Sequence, residues 1–131
     1  MAIKLGGRGE IAKTHVMWRQ PTGGPYVPSI IHYDGLIYMA TDQGIVSAAD
    51  AATGQRVWQG RIPGVYMASP VAGDGKVYFA GETGETLVLQ AGRQLKILAR
   101  NKLTGRFGGS PAIAGGRIFL RADDRLVAIG T

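Results

Sequence analysis

Ser29 to Asp50 reads SIIHYDGLIYMATDQGIVSAAD, and Ser69 to Gln90 reads SPVAGDGKVYFAGETGETLVLQ. The two stretches align without a gap, 40 residues apart. A third copy, SPAIAGGRIFLRADDRLVAIG, starts 41 residues after the second, at Ser110, and has a shorter second turn. Each copy carries a two-residue turn signal five or six positions after its Ser: Asp34-Gly35, Asp74-Gly75 and Gly115-Gly116. Such pairs suit hairpin turns in which both central residues have positive φ. A strand-forming run with an aromatic third follows each turn: Leu36-Ile37-Tyr38-Met39, Lys76-Val77-Tyr78-Phe79 and Arg117-Ile118-Phe119-Leu120. Polar turns at Thr41–Gly44, Gly81–Gly84 and Ala122–Asp124 then lead into third strands at Ile45–Ala49, Thr86–Gln90 and Leu126–Ile129.

Working outward, a fourth strand closes the first two copies, at Gln55–Arg61 and about Gln94–Arg100, while the third copy stops before its own. A matching outer strand, Thr14-His15-Val16-Met17-Trp18-Arg19, lies ahead of the first Ser by about the distance that Val57-Trp58 lies ahead of the second. Four antiparallel strands recurring about every 40 residues are the sequence form of a β-propeller blade. A short four-stranded sheet has two faces to cover, and stacking blades around an axis covers both. The expected fold is therefore all-β, with about three four-stranded antiparallel blades per chain. Its regions are an N-terminal lead (1–13) and three blades (14–131). The latter divide into an outer strand (14–20), a blade (29–61), a second blade (69–100) and a partial blade (110–130). Propellers have about four blades or more, so three call for completion. Either the chain is the C-terminal piece of a longer propeller or copies assemble. The preferred expectation is a homodimer, the outer strand of one chain completing the third unit of the other in a six-blade ring.

Composition agrees. The 131 residues hold 21 Gly and 6 Pro, too much punctuation for a helical bundle and without a collagen period. The apolar share is 45% and the charged share 18%, which excludes disorder as the default state. No Cys is present, which excludes disulfides, thiolate metal sites and a thiol nucleophile in this chain. No run approaches the roughly 18 apolar residues of a membrane-crossing helix. The opening MAIKLGGRGEIAKTH holds no apolar core of signal-peptide length. The net charge of +6 comes from singly scattered cations, which argues for a solvated surface over a nucleic-acid groove.

Residues 48–58 carry Ala48, Asp50, Thr53, Gly54 and Trp58 in the pattern A-x-D-x-x-T-G-x-x-x-W. This resembles the tryptophan-docking motif of the pyrroloquinoline-quinone-like (PQQ-like) propeller repeats. That family includes quinoprotein alcohol dehydrogenases and the non-enzymatic propeller of the outer-membrane β-barrel assembly machinery. The blade-level resemblance covers about residues 14–130. The second unit, LQAGRQLKILA, lacks the Asp, Thr and Trp. The resemblance implies a bacterial envelope setting and a larger ring. Independently of family, Asp50 can cap a turn, Gly54 can take positive φ, and Trp58 can offer a flat surface to the next blade. The motif reads as glue between blades.

The chemistry is sparse. Quinoprotein dehydrogenases, by the resemblance, use a base Asp with calcium-binding Glu and Asn. Here Asn101 is the one Asn, and Glu is limited to Glu10, Glu82 and Glu85. Glu82, Glu85 and the pair Asp123-Asp124 read as turn residues. Calcium wants six to eight oxygen ligands, so neither PQQ nor calcium is expected as cofactor. His15 and His32 lack metal-ligand spacing. Ser29, His32 and Asp34 form a triad on paper only, without a nucleophile elbow. One constellation stands out: an aromatic three residues before each repeat Ser, at Tyr26, Tyr66 and Phe107. These loops gather at one end of a propeller channel. With His32 on an inner strand, they form a candidate rim for a protein, peptide or small ligand, unless the rings pack between blades. The function expected is a non-catalytic scaffold or binding module. The alternative is a fragment of a quinoprotein-type oxidoreductase.

Overall fold

The computed structural model describes residues 1–130; Thr131, the last position of the expected blade region, lies outside the described residues. Asp34 and Gly35 have φ of 49° and 73°, Asp74 and Gly75 50° and 66°, and Gly115 and Gly116 54° and 74°. All three pairs thus supply the two left-handed residues of a tight hairpin turn.

Around these turns run thirteen strands and, among the described residues, no helix. The N-terminal strands β1 (Ala2–Ile3) and β2 (Val16–Trp18) pair with each other. The first blade is β3 (Ile31–Tyr33), β4 (Leu36–Ala40), β5 (Ile45–Asp50) and β6 (Arg56–Arg61), hydrogen-bonded in that order. The second is β7 (Val71–Gly73), β8 (Lys76–Ala80), β9 (Glu85–Gln90) and β10 (Ile97–Lys102). The third has three strands, β11 (Ala112–Ala114), β12 (Arg117–Arg121) and β13 (Leu126–Gly130). Every pairing is antiparallel. The chain is a partial propeller of about three blades.

Two details differ from the sequence reading. The lead over 1–13 contributes β1, a two-residue strand too short to show alternation. The fourth strand of the second blade starts at Ile97 rather than near Gln94. A hydrogen bond from Gln90 N to Lys96 O (2.9 Å) closes a longer turn there, which takes up Gln94 to Lys96.

The first blade is covered on both faces. Ile37, Met39 and Ala49 are buried beside Trp18. On the other face Tyr38, Val46, Ala48 and Trp58 meet Val77, Phe79, Leu87 and Leu89 of the second blade in one buried cluster. Fully burying an aliphatic or Phe side chain contributes about 1.5–3 kcal/mol, so this interface dominates the fold. Polar links ring it. Trp58 Nε1 donates to Gly92 O (2.9 Å), and Gly92 N donates back to Tyr38 Oη (2.8 Å). Gly75 N donates to Tyr33 Oη (3.0 Å), and Arg93 pairs with Asp50 across the blades (3.2 Å). The repeat serines chain the blades together: Ser29 N donates to Ser69 Oγ (2.9 Å), and Ser69 N donates to Ser110 Oγ (3.0 Å).

Trp58→Ala removes a buried indole and strands Gly92 O. It is expected to cost about 3–5 kcal/mol in chemical denaturation, whereas Trp58→Phe loses the hydrogen bond and costs about 1–2 kcal/mol. Equal, small losses in both variants would contradict the interlock.

Candidate functional site

Local structure explains the motif at Ala48–Trp58. Asp50 Oδ1 accepts from Ala52 N (3.1 Å), Thr53 N (3.1 Å) and Thr53 Oγ1 (3.2 Å), so the carboxylate caps its own turn. The Arg93 guanidinium first, then the Thr53 backbone N–H, hold the Asp50 carboxyl below the usual carboxylate range. Gly54 has φ 73°, and a Cβ there would sit 2.5 Å from the Trp18 ring. Gly54 therefore lets Trp18 lie across the turn, where its Nε1 donates to Ala51 O (3.0 Å). Ala48 is buried opposite Trp58 in the ladder. Apart from the exposed Thr53, these residues pack against or bond to other protein groups.

The candidate rim divides. Tyr26 is 90% exposed, but Tyr66 and Phe107 are 1% and 2% exposed. Tyr66 sits edge-on to Phe79, centroids 6.5 Å apart. Phe107 packs with Ala68, Ala80, Leu120 and Ala122. A solvent-facing ring of three aromatics is therefore corrected: two of them are wedged between blades, because the linkers turn inward over the following blade. Val65 O accepts from Glu82 N (2.8 Å), and Phe107 N donates to Glu82 O (3.1 Å), tying both linkers to one turn. Tyr26 remains outside, and His32 is exposed on β3. Among the described residues, no hydrogen bond joins Ser29, His32 and Asp34 to one another. Glu82 pairs with Arg106 and Glu85 with Arg100. No three His, Cys, Asp or Glu gather at metal-holding distance among the described residues.

Burial leaves the Tyr66 hydroxyl without a hydrogen-bond partner and raises its pKa, with the Glu85 charge adding to the effect.

The second blade interface is built less fully than the first. Register places Gly73 where Tyr33 stands, Gln90 where Asp50 stands and Ala99 where Trp58 stands. The Tyr33, Asp50 and Trp58 links of the first interface thus have no counterpart in the second, which keeps the serine link. A cavity of about 420 Å³ opens there. Tyr78, Val88, Ile113, Ile118, Leu120 and Ile129 give it an apolar lining, with Asn101 at its side. Asn101 shares its face of β10 with Ala99, so the space lies beside the position of the missing indole. Ile113 and Ile129 stay part-exposed at its wall, and Leu126 is exposed outside it. Reading the sequence found the lost Trp but not this opening, which is lined by strands of two blades.

The family profile described as outer membrane protein assembly factor BamB matches residues 10–89 and, overlapping, 42–130. The chain belongs to the PQQ-like β-propeller family. Among solved structures, this PQQ-like chain is similar to BamB from Moraxella catarrhalis, at 18% identity and a TM-score of 0.64, over 76% of this chain and 29% of that one. It is also similar to quinohemoprotein alcohol dehydrogenases. That from Pseudomonas putida HK5 has 16% identity and a TM-score of 0.65, over 79% of this chain and 19% of the other. That from Comamonas testosteroni has 22% identity and a TM-score of 0.60, over 74% and 17%. The chain spans under a third of each of these, and at such identities the likeness carries the fold alone. No curated protein matches it significantly in sequence.

Two outcomes follow from the geometry of this PQQ-like segment. Tyr66→Phe removes an unpartnered buried hydroxyl and is expected to be neutral or stabilising by up to about 1 kcal/mol, read as the denaturation midpoint; a clear loss would mean the hydroxyl has a partner. Asp50 is held low in the folded state, so its contribution is full above the unfolded pKa of about 4 and is lost as pH falls through the lower folded value. Melting midpoints below about pH 4 should therefore fall more steeply for the parent chain than for Asp50→Asn, and parallel curves would contradict this role.

Proposed function

We propose that this PQQ-like segment is a non-catalytic interaction scaffold whose open third blade is its binding surface, with a second copy of the chain as preferred partner. One observation carries the reading. The first blade has both faces covered, whereas the third has β13 paired on one side only, exposes Leu126, and leaves Ile113 and Ile129 part-exposed at the wall of the cavity. An unpaired strand edge beside an open apolar cavity marks an interaction site. Two three-blade arcs joined head to tail give a six-blade ring with two-fold symmetry. Tyr26 and His32, both exposed, are the loop and inner-strand groups placed to touch a further peptide or small ligand.

The relative named an outer membrane assembly factor supports a scaffold over an enzyme, and a bacterial envelope setting accords with it. The tryptophans support the same reading, since Trp18 and Trp58 both spend their Nε1 on neighbouring backbone. In this proposal the chain takes neither PQQ nor calcium.

Light scattering at micromolar concentration is expected to give twice the chain mass. Adding pyrroloquinoline quinone with calcium should leave the melting midpoint unchanged. A ligand that binds the folded state raises the midpoint by mass action, so a rise would favour the oxidoreductase reading.

A further inference from the structure

Across β1–β2, Ala2 faces Trp18 and Ile3 faces Val16, with an irregularity between Ala2 and Ile3. Across β5–β6, Ala48 faces Trp58 and Ala49 faces Arg56, with the irregularity at the same step. Across β9–β10, Val88 faces Ala99 and Leu89 faces Ile97. The closing hydrogen bonds match as well: Lys4 N to His15 O (2.8 Å), Asp50 N to Gln55 O (2.8 Å) and Gln90 N to Lys96 O (2.9 Å). Against β2, then, β1 occupies the place that a blade's third strand occupies against its fourth.

In the third blade that place belongs to β13. Gly130 pairs with Arg117 as Gln90 pairs with Lys76 and Asp50 with Leu36. Ala128 and Ile129 therefore stand where Ala48 and Ala49 stand, and where Ala2 and Ile3 stand. Both ends of the arc put the same dipeptide, Ala-Ile, in the same structural position.

We infer that β1 is a placeholder for the β13 of a second copy. On assembly, Leu126–Gly130 of one chain displaces Ala2–Ile3 of the other from β2, and β2 becomes the missing fourth strand of the third blade. Three features favour the exchange. β1 offers two residues, one of them the exposed Ile3, whereas β13 offers five. The segment 4–15 between β1 and β2 is longer than the turns 51–55 and 91–96 of the complete blades, so β1 can leave without moving β2. The exchange also covers Leu126 and Ile129, which are exposed in the single chain. Done reciprocally, it closes a two-fold dimer. The inference rests on the self-association proposed above and makes it a competition for one strand edge.

The register fixes a test. Ser47 faces Gln59 and Leu87 faces Arg100, so Val127 of one chain should face Arg19 of the other. The chain has no Cys, which makes Arg19→Cys/Val127→Cys diagnostic: oxidation should trap a covalent dimer that neither single variant forms in the same yield. Ile3→Pro removes a backbone N–H, and Ile3→Asp puts a poor strand former on β1. In a dilution series followed by light scattering, each should weaken β1 and tighten the dimer by about fivefold or more, the effect of about 1 kcal/mol. A cross-linked dimer whose affinity is unmoved by both Ile3 variants would overturn the placeholder and leave self-association standing. The single-chain mass at every dilution, without cross-linking, would overturn both.

Discussion

The fold depends on one contact, the face of the first blade against the face of the second. A four-stranded sheet of strands three to six residues long cannot hold together on ladder hydrogen bonds alone, because both faces would lose apolar side chains to water. Trp58 closes this contact. Its ring packs beside Tyr38, centroids 6.0 Å apart, and both side chains bind the backbone of Gly92, one as donor and one as acceptor. A single glycine of the second blade is thus held by two aromatics of the first. Gly60 completes the fit, for a Cβ there would lie 2.4 Å from Leu95. The second interface keeps the serine link and the Phe107 cluster but has Ala99 and Asn101 in place of Trp58 and Gly60, and it opens into a cavity. Stability therefore declines along the chain from first blade to third.

That gradient also organises function. In the proposed scaffold a rigid first pair of blades presents a less protected third, whose uncovered surface and free strand edge are the place for a partner. The serine links give direction. Ser69 and Ser110 each accept from the backbone of the repeat Ser before, so the arc has unlike ends. In the proposed dimer these unlike ends join head to tail, and a closed ring then limits growth.

Much of the fold was legible because its signals are local. Asp34-Gly35 and Asp74-Gly75 announce turns through the φ they require, and the period of about 40 residues follows from the turns. Trp58 could be placed between blades because a Trp on an outer strand after a turn motif has little else to cover. The candidate site was less legible. Tyr26, Tyr66 and Phe107 share one phase of the repeat, yet their exposures divide between 90% and a few per cent. Whether a linker aromatic turns inward depends on what the next blade offers it: Phe79 for Tyr66, and Leu120 with Ala122 for Phe107. The repeat serines marked the phase without revealing that they hydrogen-bond one another. β1 was invisible for a different reason, since two residues carry no period and its partner lies beyond a twelve-residue segment.

Native-state hydrogen exchange tests the central claim most directly, because it reads the opening free energy of each strand separately. If the first blade interface governs the fold, amides of β4, β5, β8 and β9 exchange with one shared opening free energy equal to that of global unfolding, while those of β12 and β13 exchange through smaller openings. Protection of β13 equal to that of β9, or independent opening of β4–β5 and β8–β9, would contradict the account.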